Sequence, residues 1–322
     1  MNKAIVALVS SLLVLSPLAL AAAAPSADAE KWAVVIGISD YAGATVSTPG
    51  SAGDAAKVRE AMVGNGWPEA NIRTLVDGEA TEGAIREAMD WLVDNSSDTS
   101  FSVFAYSGHV KQMSGDQDGD GEDNDEFLWP HDNNFISDGD FAERMRAIRG
   151  DAWINIAGCE AAGFDDGASG PRKLFTAASQ EVEKGYERAD WQMSVFNGLM
   201  VDQAMLQGRG DVDGNGAVSI QEAFDIAAAE APVMTEGQRY GPQHPYIAGG
   251  DGPQWFLSPP PPPPAAAAVE DGESGLLGGS GLLGDDLLGG GLGEDLLGGG
   301  LLGEDLPTDE LLGADPLAGL LG

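Results

Sequence analysis

Short apolar segments alternate with amphipathic ones between Glu30 and Ser258, and this alternation constrains the fold more than any other feature of the chain. The apolar segments are rich in β-branched and aromatic residues, as strands are, and they are KWAVVIGI, IRTLV, SFSVFAYS, AWINIAG and RKLFTAAS. The segments between them have helical periodicity and include DAAKVREAMV, EGAIREAMDWLV and GDFAERMRAI. Strands that alternate with helices predict a mostly parallel sheet with helices on both faces. We therefore predict one α/β domain over residues 30–258.

The first residues have the pattern of a signal peptide. Lys3 is followed by an apolar stretch that Pro17 interrupts, and then by small residues. We assign the signal peptide to residues 1–29, and both Ala23 and Ala29 fit the position before the cleavage site. The apolar core is shorter than the ~20 residues that a membrane-spanning helix needs. We therefore expect a secreted or cell-envelope protein, extracellular or periplasmic, with no membrane span in the mature chain.

Charge and composition separate the domain from the C-terminal segment of the chain. The formal net charge of −36 repels nucleic acids and anionic lipids, so we expect no nucleic-acid partner. Residues 259–268 form a Pro/Ala linker, and residues 269–322 repeat pairs of leucine among glycines and acids. This repeat matches neither the helical nor the strand period and predicts a disordered tail. The tail is either a solvated extension or a segment that binds a partner in the cell envelope.

Two chemically active side chains come directly after two of the predicted strands. His109 comes after SFSVFAYS, and Cys159, the only cysteine, comes after AWINIAG. Since the carboxyl ends of parallel strands meet at one edge of a sheet, we expect the two side chains to lie close together. An imidazole beside a thiol is the arrangement that nucleophilic catalysis requires. The alternative is an inert buried cysteine and an unrelated loop histidine, but an exported chain with a single cysteine favours a reactive thiol over a structural one.

Residues 31–257 resemble caspase-like cysteine peptidases of the bacterial metacaspase type, through AVVIGISDYAG, FSVFAYSGH, DEFLWPHD and GCEAAGF in this order. The resemblance implies a caspase-like three-layer sandwich. It also implies that His109 and Cys159 are the catalytic dyad and hydrolyse peptide bonds of protein or peptide substrates through an acyl-enzyme. The backbone N–H groups of Cys159 and Gly108 would then form the oxyanion hole.

The chain departs from the metacaspase pattern near the dyad. Val110 stands where the family usually has glycine, and Ala157 stands where it usually has an aspartate that helps to bind a basic substrate side chain. Glu160 follows the cysteine, and a carboxylate there raises the pKa of the thiol unless it points away. Asp54 matches the other acid of the basic-residue pocket, although an aspartate at a helix N-terminus would look the same. Asp54 leads us to expect cleavage after Arg or Lys. The departures at Val110 and Ala157 leave an alternative, a catalytically lapsed domain that acts as a calcium-dependent binding or cell-surface protein.

Two acidic stretches predict Ca²⁺ as the cofactor. DVDGNGAVSIQE fits every position of the twelve-residue EF-hand loop. Its predicted ligands are Asp211, Asp213, Asn215, the carbonyl of Ala217, Ser219 and Glu222. DQDGDGEDNDEF begins in the same way but has Phe127 at position twelve, which makes it the weaker candidate. Its candidate ligands are Asp116, Asp118, Asp120 and Asp125, with Asp123 and Glu126 as further acids that would complete the site. For both stretches the alternative is an acidic loop without a metal.

Overall fold

The computed structural model describes residues 25–117, 119 and 121–261, together with the backbone of Leu311–Gly313. Most of the predicted signal peptide, most of the Pro/Ala linker and nearly all of the tail lie outside the described residues. The same holds for Asp118 and Asp120 of the second predicted calcium loop.

The domain contains strands and helices in alternation. The strands are β1 (Lys31–Gly37), β2 (Ile72–Val76), β3 (Phe101–Ser107), β4 (Val110–Ser114), β5 (Asn124–Leu128), β6 (Ile136–Ser137), β7 (Asp151–Ala157), β8 (Lys173–Ala177), β9 (Tyr186–Arg188), β10 (Met193–Ser194), β11 (Tyr246–Gly249) and β12 (Leu311–Gly313). The helices are α1 (Ser51–Gly64), α2 (Glu82–Asn95), α3 (Asp138–Ala147), α4 (Val195–Asn197) and α5 (Ile220–Met234). A π-helical stretch, Gly198–Leu206, continues α4. Each of the five predicted strands and three predicted helices is present.

The central sheet has six strands in the order β11-β8-β7-β3-β1-β2. Five of them are parallel and β11 is antiparallel at one edge. Successive side chains of a strand point to opposite faces, and in β1 Ala33 and Val35 join one core cluster while Val34 and Ile36 join the other. The first cluster includes α1, α4 and α5, and the second includes α2 and α3. The predicted three-layer sandwich is therefore confirmed.

Side-chain caps fix where most of the helices begin. Thr81 accepts from the N–H of Ala84 at the start of α2, and Ser137 accepts from the N–H of Asp140 at the start of α3. Helix α1 differs, because its N-cap is Gly50 and has no capping side chain. The carboxylate of Glu187, from β9, accepts the Gly50 N–H instead at 2.8 Å. The start of α1 is thus tied to β9, which lies far away in sequence.

Two small antiparallel sheets accompany the central one. In the first, β4 pairs with β5, and β5 pairs with β6. In the second, β9 pairs with β10 on one side and with β12 on the other. Strand β12 belongs to the tail, so the expectation of a disordered tail does not hold at Leu311–Gly313. The sequence pattern predicted neither small sheet, since β6, β9 and β10 have only two or three residues and β4 and β5 lack a continuous run of apolar residues.

Candidate active site

His109 and Cys159 occupy equivalent positions at the carboxyl edge of the central sheet. Strands β3 and β7 are parallel neighbours, and their last residues, Ser107 and Ala157, pair in register. His109 and Cys159 each lie two positions beyond the end of their strand. The N–H of Gly108 donates to the carbonyl of Ala157 at 3.2 Å, which carries the ladder one residue beyond the strand ends. Neighbouring strands lie about 4.8 Å apart, so this register brings the backbones of His109 and Cys159 to the same part of the sheet edge.

The backbone and ring of His109 are held by aromatic residues. Its N–H donates to the hydroxyl of Tyr41 at 2.7 Å, and its carbonyl accepts from the hydroxyl of Tyr106 at 2.7 Å. The ring centroid lies 4.7 Å from that of Tyr41 and 5.7 Å from that of Trp129. Nε2 lies 2.7 Å from the carbonyl oxygen of Val46. Because a carbonyl only accepts, Nε2 carries the proton of the neutral ring, and Nδ1 is the nitrogen that can take a proton.

Cys159 lies beneath a segment that leads into β9. Its side chain is 1% exposed, and its Sγ lies 3.8 Å from the carbonyl oxygen of Gly185. A Cβ added to Gly185 would lie 2.4 Å from the carbonyl oxygen of Gly158, so only glycine permits this approach. His109 is also buried, at 2% exposure. A peptide therefore gains access to the thiol only when part of this cover moves.

Val110 does not disturb the geometry around the dyad. It is the first residue of β4, pairs with Leu128 of β5 and is buried. Its side chain lies against Gly158, where an added Cβ would come within 2.7 Å of Val110 Cγ2. This position is ordinary strand backbone, so the glycine that the family usually has is not required by the local conformation here.

The carboxylate of Glu160 is balanced by a lysine. Glu160 has a φ of 46°, in the left-handed region, and its N–H donates to the carbonyl of Glu183 at 2.7 Å. Its side chain forms an ion pair with Lys184 at 2.5 Å. The positive charge of Lys184 therefore compensates the negative charge of the carboxylate that follows Cys159.

The oxyanion assignment needs a correction at Gly108. Gly108 was predicted to contribute its N–H to the oxyanion hole, but this group already donates to the carbonyl of Ala157. An N–H engaged in the sheet ladder is not available to a substrate oxygen in this conformation. The N–H of Cys159 remains a prediction as an oxyanion donor.

A family model described as peptidase C14, caspase domain, matches residues 30–196. The chain belongs to the caspase-domain peptidase family. It is 37% identical over 116 residues to Metacaspase-3 of Arabidopsis thaliana, a match that covers 34% of this chain and 32% of that protein. It is 30% identical over 174 residues to Metacaspase-6 of the same plant, covering 49% of this chain and 46% of that protein. The matches thus span between a third and a half of the length of these relatives.

A solved structure supports the fold alone. The crystal structure of protein GSU0716 from Geobacter sulfurreducens matches with a TM-score of 0.52 and 12% sequence identity, over 70% of this chain and 95% of that chain. This identity is too low to transfer a function. The structural likeness therefore concerns the fold, and the family match alone carries the assignment to the caspase-domain peptidases.

In this caspase domain Asp54 is buried close to the dyad. Its carboxylate accepts from the hydroxyl of Ser107 at 2.7 Å, from the amide of Asn197 at 3.1 Å and from the N–H of Ser194 at 2.9 Å. Burial raises the pKa of Asp54 to about 6, and the three hydrogen bonds oppose that rise. Asp54 is also in the first turn of α1, as the helix N-terminal interpretation expected, and its role in binding a basic side chain stays a prediction.

A second buried acid, Glu187, lies in the same region and was missed by the sequence analysis. It accepts from the hydroxyl of Ser51 at 2.6 Å and from the N–H of Gly50 at 2.8 Å. Burial raises the pKa of Glu187 to about 7, and the charge of Asp54 adds to the rise. The only sequence signal was a glutamate in GYERAD, a stretch to which no element had been assigned.

In the predicted EF-hand loop, residues 211–222, the predicted ligands hydrogen-bond to backbone N–H groups of the same loop. Asp211 accepts from the N–H of Gly216 at 3.1 Å, Asp213 accepts from the N–H of Asn215 at 3.0 Å, and Asn215 accepts from the N–H of Ala217 at 2.9 Å. Ser219 and Glu222 form the capping box of α5, so the loop leads directly into the predicted exit helix. Within the described residues, two buried oxygens of this loop, Asp211 Oδ1 and Glu222 Oε1, have no hydrogen-bond partner.

The second acidic loop gathers a different set of carboxylates than the sequence suggested. Asp116 accepts from the N–H of Gly119, and Asp125 accepts from the N–H of Gln117, both at 2.5 Å. Among the described residues, the acidic side chains with oxygens within 4.8 Å of one another are Glu122, Glu126 and Asp138. Of these, the sequence analysis had named only Glu126. Asp138 was missed because it comes from the start of α3, outside the loop.

Proposed function

We propose that this chain is an exported, calcium-binding cysteine endopeptidase that cleaves peptide bonds after Arg or Lys. The observation that carries the proposal is the register of β3 and β7, which places His109 and Cys159 at equal distances beyond two paired strand ends. A thiol and an imidazole held in this way, in a caspase-domain chain, match the requirements of nucleophilic catalysis.

The dyad would act in two steps. In the first, Nδ1 of His109 takes the proton of the Cys159 thiol, and the thiolate attacks the carbonyl carbon of the substrate. The imidazolium then returns the proton to the leaving amine as the peptide bond breaks, and an acyl-enzyme remains. In the second step His109 takes a proton from water, the resulting hydroxide attacks the thioester, and the carboxylic acid product leaves. The proton then returns to the thiolate.

The hydrogen bond from Nε2 to the carbonyl of Val46 supports this assignment of protons. It holds the neutral ring with its hydrogen on Nε2 and also stabilises the imidazolium, which needs an acceptor for that same hydrogen. Val46 therefore takes the orienting part that a carboxylate has in some hydrolases.

Charge supports a basic residue before the cleaved bond. Asp54 is buried beside Ser107, two residues before His109, and the chain as a whole is strongly acidic. A buried carboxylate in a substrate pocket favours a cationic side chain, and the negative surface attracts basic peptides.

The proposal includes two calcium-binding sites on this chain, with different roles. The orphaned oxygens of Asp211 and Glu222 fit a cation at the EF-hand loop, where it would compensate buried carboxylate charge and stabilise the start of α5. At the second loop, Glu122, Glu126 and Asp138 are close enough together to bind one. Burial raises the pKa of Glu126 to about 8, and a cation there would offset the cost of ionising this acid. This loop joins β4 and β5, and β4 begins directly after His109, so a cation here can act on the catalytic histidine through the backbone.

Export and the tail remain proposals from the sequence. Among the described residues, no helix has both the length and the apolar character that a bilayer crossing requires. The cell envelope is the partner proposed for the leucine–glycine tail.

A catalytically lapsed binding protein is the second candidate, and Ala157 is the observation that favours it. One experiment separates the two. A peptide library with every residue before the scissile bond is incubated with wild-type protein and with Cys159→Ala, with calcium and with a chelator. The endopeptidase predicts cleavage after Arg and Lys by the wild type alone, at a rate that falls on chelation. Equal background with both proteins would favour the lapsed domain.

A further inference from the structure

Asp54 and Glu187 lie in one buried neighbourhood, joined through Ser194. In the antiparallel pair β9–β10, Ser194 is directly opposite Glu187. The N–H of Ser194 donates to Asp54 at 2.9 Å. Both acids also meet the first turn of α1: Asp54 belongs to it, and Glu187 accepts from Gly50 and Ser51. Their exposed fractions are 0% for Asp54 and 6% for Glu187.

Neither carboxylate has a basic partner. Within the described part of the chain, no ion pair joins Asp54 or Glu187 to a lysine, arginine or histidine. Their donors are hydroxyls, an amide and backbone N–H groups. Two buried carboxylates without a cation are unfavourable, and they are relieved either by a proton or by a cationic ligand.

Glu187 lines a small cavity next to the ends of β3 and β7, and Asp54 is connected to it through Ser194, which also lines the cavity. The cavity has a volume of about 10 Å³, room for roughly one water, and it is lined by Gly108, Ala157, Gly158, Ala178, Gly185, Tyr186, Glu187 and Ser194. Gly108 precedes the histidine of the dyad and Gly158 precedes the cysteine. A substrate side chain bound in this cavity would therefore belong to a residue close to the peptide bond at the dyad. Since the cavity is small, a long side chain enters only when the segment before β9 moves.

We propose that Glu187 is the second acid of the basic-residue pocket, and that it supplies from β9 the carboxylate that Ala157 lacks. With Asp54 it would bind the guanidinium or ammonium group of the residue before the cleaved bond. Ala157 and Glu187 both line the cavity, and the small side chain of Ala157 occupies little of it. This inference rests on the proposed function, because it names the specificity determinant of the same site.

A structural role for Glu187 makes a different prediction. Glu187 caps α1 through Gly50, and loss of a cap would weaken the protein toward every substrate alike. Glu187→Gln keeps an oxygen for the Gly50 N–H and an amide for the Ser51 hydroxyl, so it removes the charge and retains the shape. The test is therefore whether the loss depends on the charge of the substrate.

The experiment compares two peptides that differ only in the residue before the cleaved bond, arginine or its neutral isostere citrulline. We expect Glu187→Gln to lower kcat/KM for the arginine peptide by about 30-fold or more, the lower end for removal of one member of a buried charge pair, and to leave the citrulline peptide within about threefold. Asp151→Asn is the matched control: it removes an acid that is 7% exposed, at the opposite end of β7, and should change both peptides equally. An equal loss for both peptides in Glu187→Gln would overturn the inference.

A binding measurement separates this inference from the proposed activity. Cys159→Ala protein is titrated with butylguanidinium and with butylurea, and the affinities are measured by calorimetry. We expect butylguanidinium to bind and butylurea to bind at least tenfold more weakly, with the difference abolished by Glu187→Gln. A difference that Glu187→Gln leaves intact, or no preference for the cation in the first place, would refute the paired-acid pocket. If the wild type cleaves no peptide and this cation preference is nevertheless observed and lost in Glu187→Gln, the pocket stands and the peptidase proposal fails.

Discussion

The buried charge of Glu187 should make the folded state less stable at high pH, and Glu187→Gln should remove that penalty. The ordinary pKa of a glutamate is 4.5, and burial raises that of Glu187 to about 7. At about 1.4 kcal/mol for each pKa unit, this rise corresponds to about 3 kcal/mol of unfolding free energy. This rise already includes the repulsion by the neighbouring charge of Asp54.

The pH window depends on the direction of the shift. Below the unfolded pKa, both states hold the proton and there is no penalty. Between pH 4.5 and about 7, the unfolded state ionises while the folded state keeps the proton, so stability falls as the pH rises. Above about 7 the penalty is complete. Glutamine has no proton to lose, so its advantage over the wild type should grow by about 3 kcal/mol between pH 4.5 and pH 8.

Urea denaturation of both proteins at pH 4.5 and pH 8 measures this gap. Asp190→Asn is the control with the opposite sign, because Arg188 lowers the pKa of Asp190 by a hydrogen-bonded ion pair. At pH 8 the wild type should be slightly more stable to urea than Asp190→Asn. A gap between wild type and Glu187→Gln that is the same at both pH values, or a variant that is less stable at pH 8, would refute the idea of a destabilising buried charge.

Three further perturbations test the other proposals. Cys159→Ala should abolish peptide hydrolysis with an unchanged circular dichroism spectrum, His109→Ala should nearly do so, and wild-type activity in Cys159→Ala would show that the dyad is wrong. Calcium at one hundred times its dissociation constant should stabilise the protein by about 2.7 kcal/mol, and Glu222→Gln should erase most of the resulting rise in Tm. Glu126→Gln should instead erase calcium activation of hydrolysis. An unaltered calcium response in either variant would contradict the role proposed for the calcium site that contains that residue. Deletion of residues 262–322 should leave Tm and hydrolysis almost unchanged, because β12 adds only three paired residues to β9, and a large drop in Tm would show that the tail packs onto the domain.

Local pattern was sufficient for the central sheet and for the place of the dyad. IRTLV coincides with β2, Ile72–Val76, because a run of β-branched and apolar residues between turn residues has few alternatives to a buried strand. His109 and Cys159 could be paired from sequence because parallel strands bring their carboxyl ends to the same edge, whatever lies between them in the chain.

The rest of the site depends on contacts between residues that are distant in sequence, and the local sequence pattern does not predict such contacts. The partner of His109 Nε2 is a backbone carbonyl at Val46, and any residue type would supply it. Glu187 reaches the pocket because β9 happens to cross the start of α1, a contact between residues 137 positions apart. Val110 stands where the family usually has glycine. Whether the position requires glycine depends on its backbone angles, and these are known only from the pairing of β4 with β5.

Labelling of the thiol tests the central claim most directly, since Cys159 is 1% exposed and an inert buried cysteine is the competing interpretation. The folded protein is treated with a peptidyl acyloxymethyl ketone that ends in arginine, and the product is identified by intact mass and peptide mapping. The dyad predicts one label per chain, on Cys159, at a rate that falls steeply in His109→Ala and that a free arginine peptide slows by competition. A thiol that stays unlabelled in the folded protein and reacts only after unfolding in urea would contradict it.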